Sequence, residues 1–164
     1  MEQYLEQNKS IRSELLNSVS HLSDEQLNRK VEEGSWTIMQ VLHHLYLMEG
    51  SIAKTIQSIV EKGEKQQVDP KPIELTVNRT KKVEAPSFVE PDKGFITLEE
   101  IKEKLKESRN ALLQVVESNN KDELKEKAYP HPAFGLLSLE QWVPFIGYHE
   151  KRHLEQIEEL KAKL

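Results

Sequence analysis

The segment His149-Glu150-Lys151-Arg152-His153 sets two imidazoles four residues apart, and an earlier segment carries a second pair, His43 and His44. Residues four apart on a helix stand about 5 to 6 Å apart at Cβ, close enough for two rings to converge on one ion. Two such helices packed side by side can hold one transition metal with three imidazoles and leave positions open for a water or a substrate. The stripe Leu139, Trp142, Val143, Ile146, His149, His153, Ile157, Leu160 and Leu164 puts both C-terminal histidines where the helical period asks for core residues. At about 100° per residue, His44 falls on the flank of the earlier helix's stripe, in register with Met48, and His43 falls almost opposite, beside Gln40 and Leu47. His44 is therefore expected as the third ligand to His149 and His153, and His43 as a surface or interface histidine.

The string HEKRH also matches the HExxH signature of zinc metalloproteases, in which the Glu is the general base. A metzincin would continue with Gly and a third His, whereas His153 is followed by Leu154-Glu155-Gln156-Ile157-Glu158-Glu159. A thermolysin-like site needs a Glu well downstream on another element, and only eleven residues follow His153. The protease reading fails there, while Glu150 stays a candidate base or an orienting group for bound water. Gln156, one turn beyond His153, either orients a ligand from behind or is an exposed helix residue. His131, beside Pro132, either reaches the open metal face or packs its loop. Tyr148 is a candidate substrate contact, and Trp36 and Trp142 read as bundle anchors.

Composition narrows the chemistry further. With 164 residues, the chain is expected to form one domain, 1–164, large enough for a core without disulfides. Its 37% hydrophobic and 31% charged residues are ordinary for a soluble protein, and no apolar run approaches the roughly 18 to 20 residues of a membrane span. The segment Met1-Glu2-Gln3-Tyr4-Leu5 has no secretory pattern, which places the chain in the cytoplasm. There is no cysteine, so any metal must rely on His, Asp and Glu. A net charge of −5 argues against a sequence-independent grip on nucleic acid, which needs a basic face. Lys and Arg are instead interspersed with Glu, as in Glu99-Glu100-Ile101-Lys102-Glu103-Lys104, the pattern of a solvated helix face.

Leu5, Ile11, Leu15, Val19 and Leu22 predict a first long helix over about 2–20, followed by a short capped turn at Ser23-Asp24-Glu25-Gln26. A second should start near Ser35-Trp36-Thr37 and run to about Glu61, on the stripe Ile38, Val41, Leu42, Leu45, Met48, Ile52, Ile56 and Ile59. A third opens at the cap Thr97-Leu98-Glu99-Glu100, and a fourth at a capping box, Ser138-Leu139-Glu140-Gln141, continuing almost to the end. No strand pattern is convincing, so the expected fold is all-α: a four-helix bundle with a long crossover between the second and third long helices. That crossover, residues 63–96, carries Pro70, Pro72, Pro86 and Pro91; it lets two consecutive helices lie parallel and is expected to pass over one end of the bundle.

Gly34-Ser35-Trp36-Thr37-Ile38-Met39-Gln40-Val41-Leu42-His43-His44-Leu45, the Ala85-Pro86 stretch, and His131-Pro132-Ala133-Phe134-Gly135-Leu136-Leu137 leading to Glu140-Gln141-Trp142 and on to His149 through Gln156 together resemble the DinB/YfiT-like superfamily over nearly the full length. The resemblance implies a bundle that holds a divalent metal, commonly nickel or zinc, through a histidine triad, which falls here on His44, His149 and His153. It also implies a hydrolase of small substrates or a transferase of low-molecular-weight thiols such as bacillithiol, acting in detoxification or stress response, and a homodimer. The alternative is a non-catalytic stress-response bundle that binds metal or a ligand between its helices. Three neutral imidazoles would leave the full dipositive charge on the ion and lower the pKa of a bound water or thiol toward neutrality. Zinc, nickel, iron, cobalt and manganese all suit such a site, with selection set by geometry and supply.

Overall fold

The computed structural model describes residues 1–164, in the order α1 (Glu2–Val19), α2 (Asp24–Leu27), α3 (Ile38–Lys62), α4 (Leu98–Ser118), α5 (Lys121–Glu126), β1 (Ala128–His131), β2 (Gly135–Ser138) and α6 (Leu139–Lys161). Side chains written into the sequence cap the start of every one of these helices but α1. Ser23, Thr37 and Thr97 each accept the amide of the third helical residue, and that residue's side chain (Gln26, Gln40, Glu100) returns to the cap amide. Such a cap contributes about 1 kcal/mol. At Ser138 the expected box is only half made. Its hydroxyl accepts from the Gln141 amide, but the Gln141 side chain turns away to grip the crossover, donating to Lys71 O at 2.9 Å and accepting from Lys71 N at 3.1 Å.

α1, α3, α4 and α6 form the bundle, and their apolar stripes pack into two separate clusters. One gathers Leu15 and Val19 of α1 with Leu42, Leu45, Leu105 and Ile157, and the other gathers Ile52 and Ile56 with Leu112, Val116, Val143 and Ile146. Reading the numbers from one cluster to the other shows that α3 and α4 run one way and α1 and α6 the opposite way. Two consecutive parallel helices need a connection that returns the whole length of the bundle. The crossover does so, which corrects the expectation that it spans one end. Gln66 N donates to Glu126 O near the end of α3, a 3-10 turn at Ile73–Val77 lies on α6, and a second at Ser87–Val89 lies on α3. At the far end, Asn28 binds both the amide and the carbonyl of Ile96.

A β-hairpin stands where no strand was expected. β1 and β2 have four residues each, and Pro130 interrupts what little alternation they carry. The three-residue loop closes through Gly135 at φ +73°, a backbone region that favours glycine. α1 and α6 approach closely at Gly147, where a Cβ would run into the Asn8 side chain. No helix is long and apolar enough to cross a membrane.

Candidate metal centre

Between the two apolar clusters lies a polar layer, and the histidines belong to it. His44 of α3 and His149 and His153 of α6 bring one ring nitrogen each to within 4.8 Å of one another. The Nε2 atoms of His44 and His153 both stand 3.2 Å from His149 Nε2. Four-coordinate bonds of about 2.0 to 2.1 Å would set neighbouring nitrogens about 3.3 Å apart, so the donor spacing suits such an ion.

The far side of two rings decides what the near side offers. His44 Nδ1 donates to Val89 O at 2.7 Å, and His153 Nδ1 donates to Gln156 Oε1 at 2.7 Å. Each neutral ring therefore carries its proton on Nδ1 and presents a bare Nε2 lone pair. His149 Nε2 has at most one proton to donate, so at least one of the two 3.2 Å contacts leaves a bare lone pair without a proton of its own. A shared cation removes that deficit, and this donor chemistry fits a divalent transition metal. A proton is a poor substitute. Burial pulls His149 well below the ordinary imidazole range, helped by His153 and His44. Burial and His44 pull His153 down to about 3 against the Gln156 bond, and burial lowers His44 despite Val89.

The sign of the resulting pH dependence follows from these depressed values. The unfolded chain takes up protons near pH 6.5, the folded one only well below it, so protons favour unfolding in between. In metal-free protein the cluster is expected to contribute its full share of stability above pH 6.5 and to lose that share progressively as the pH falls toward 3. Melting curves from pH 7.5 to 4 should fall less steeply for His153→Leu than for wild type; equal slopes would show that the cluster does not titrate as described.

Apolar rings surround the cluster. The Trp36 ring centroid is 5.1 Å from that of His44, and Phe145 stacks on His149 at 5.8 Å. Arg152 donates to the carbonyls of Thr76, Asn78 and Lys81, tying the crossover to α6 one residue before His153.

Other expected site residues lie elsewhere. Glu150 is turned away from the triad into a buried ring of charge drawn from all four bundle helices, so it is not free as a base there. Its Oε1 accepts from Arg12 Nε at 2.5 Å and its Oε2 from Arg109 Nη2 at 3.3 Å. Glu49 closes the ring, accepting from Arg12 at 3.1 Å, Ser108 at 2.6 Å and Arg109 at 2.7 Å. Burial opposes the Arg12 charge, and Glu150 and Glu49 more than offset it, raising its pKa. Burial also pushes the Glu150 carboxyl up, against Arg12 and Arg109. His131 caps the hairpin turn instead of joining the triad: its Nδ1 accepts from the amides of Ala133 and Phe134 at 3.0 and 3.3 Å, and its ring packs on Phe145. Tyr148 is half-buried against one apolar cluster. His43, expected as a surface or interface histidine, is buried within the chain, where the crossover meets it: its Nδ1 accepts from Asp92 N at 3.0 Å. The charged ring escaped the sequence reading, although it had a signal. Each long helix carries a polar residue inside its apolar stripe at one level: Arg12, Glu49, Ser108 and Glu150.

Comparison with known proteins agrees with this architecture. YuaE, an uncharacterized protein of Bacillus subtilis (strain 168), is 37% identical over 153 residues, which cover 93% of this chain and 94% of its own. Among solved structures, TT2238, a four-helix bundle protein, superposes with a TM-score of 0.68 at 23% identity, over 96% of this chain and 98% of that one. YfiT from Bacillus subtilis, described as a probable metal-dependent hydrolase with an unusual four-helix bundle topology, superposes with a TM-score of 0.64 at 18% identity, over 98% of this chain and 85% of that one. The family model of the DinB superfamily matches residues 7–157, nearly the whole bundle, and the chain belongs to that superfamily.

Proposed function

We propose that the chain is a metal-dependent enzyme whose ion is held by His44, His149 and His153, and that it hydrolyses a small substrate or transfers a low-molecular-weight thiol to an electrophile. The observation that carries this reading is the meeting of three Nε2 atoms, two of them bare because Val89 O and Gln156 Oε1 hold the opposite nitrogens. When bound, a divalent ion supplies Lewis acidity and lowers the pKa of a water or thiol at its open position. The chain's own groups do the rest. Val89 and Gln156 fix the ring orientations, and Trp36 and Phe145 exclude water from the imidazoles. The description of YfiT supports the hydrolase class. Zinc and nickel suit three imidazoles best among the ions expected, with iron, cobalt and manganese compatible.

The test is a screen of ester hydrolysis and of thiol transfer to a model electrophile, with the metal-free chain and after adding zinc or nickel. A rate that appears with metal and is missing from His149→Ala is expected. A rate indifferent to metal would overturn the enzymatic reading and leave a bundle that only binds its ligand.

A further inference from the structure

The adjacent histidines of α3 grip the crossover at two points. His44 donates to Val89 O at 2.7 Å, and three residues on, Asp92 N donates to His43 Nδ1 at 3.0 Å. Between Lys82 and Phe95 these are the hydrogen bonds that tie the segment to the rest of the molecule, since its remaining ones are local: Val89 N to Pro86 O, Glu90 N to Ser87 O and Gly94 N to Asp92 Oδ1. Val89 and Pro91 are buried, while Phe88 and Phe95 on either side are 67% and 62% exposed. The stretch thus hangs from α3 by four residues, and its neighbours contribute little to hold it.

We propose that His43 is a positioning residue for the metal centre: by accepting the Asp92 amide it holds the crossover in place, so that Val89 O keeps the His44 ring turned with Nε2 toward His149 and His153. The inference rests on the metal-centre reading above. Its physical basis is that partners behind a ligating imidazole set its tautomer and rotation, and losing one weakens metal binding by about tenfold to a hundredfold. Val89 O can do this only if its own backbone is fixed. His43 also stacks on Tyr46, with ring centroids 5.9 Å apart, so its contribution to packing must be separated from its contribution through Asp92.

Two substitutions make that separation. His43→Leu keeps an apolar body and removes the acceptor; His43→Asn loses the ring and sets Oδ1 where Nδ1 stands, so the Asp92 amide keeps a partner. Both lose the stack on Tyr46, and a purely structural role would weaken both alike. Zinc affinity of the metal-free full chain, measured by competition with a chromophoric chelator, is expected to fall about tenfold to a hundredfold in His43→Leu and to stay within about threefold of wild type in His43→Asn. Hydrogen exchange of the Asp92 amide in metal-free protein should accelerate in the leucine variant and not in the asparagine one. Wild-type affinity in His43→Leu, or equal loss in both variants, would overturn the role assigned to His43. Wild-type chain that takes up neither zinc nor nickel would instead overturn the metal centre, and with it this role, whatever the Asp92 exchange shows.

Discussion

Replacing Glu49 with alanine is expected to remove about 3 to 5 kcal/mol of stability, the range for breaking one side of a buried ion pair. That is a large share of the roughly 5 to 15 kcal/mol that holds a typical domain together. The reason lies in what the variant leaves behind. Glu49 is 1% exposed and receives Arg12, Ser108 and Arg109, so its loss strands two guanidinium groups on the single carboxylate of Glu150. With both Glu present, two positive and two negative groups balance. Replacing Arg12, Glu49, Arg109 and Glu150 together with apolar residues of similar volume should cost far less than Glu49→Ala, because no charge is then buried alone. Urea denaturation of both variants checks this. A single variant as stable as wild type would show that the ring is not closed as described. Arg12 and Arg109 also hold Glu150, next to His149, which fixes the rotation of α6 at the level of the triad.

The second large effect concerns His149, whose Nε2 is the common neighbour of the other two at 3.2 Å. His149→Ala is expected to abolish stoichiometric metal binding. A ligand present at 1,000 times its dissociation constant adds about 4 kcal/mol to stability. Chelation should therefore lower the melting temperature of the metal-loaded wild type clearly and leave His149→Ala unmoved. The same chelator response in both proteins would mean that the ion sits elsewhere.

The sequence makes the bundle legible because its signals are local. Ser23, Thr37 and Thr97 cap their helices through residues three positions on, and the stripe from Ile38 to Ile59 needs one helix to bury it. The convergence of His44 with His149 and His153 is legible for a related reason: the period of two helices puts all three rings inward. Other features depend on partners distant in the chain, and no local period reports them. Gln141 abandons its capping box for Lys71, seventy residues earlier. His43 faces away from the stripe by angle, yet it is buried with the crossover bonded to it through Asp92. Glu150 looks like a base beside a ligand pair until Arg12 and Arg109 are seen to take both its oxygens. The hairpin is too short, and too interrupted by Pro130, for alternation to show.

Elemental analysis of the chain, purified without an affinity tag and never exposed to chelator, tests the metal centre most directly. The donor arrangement predicts about one divalent transition-metal ion per chain. Protein that carries none, and takes none up from zinc or nickel supplied at neutral pH, would contradict it.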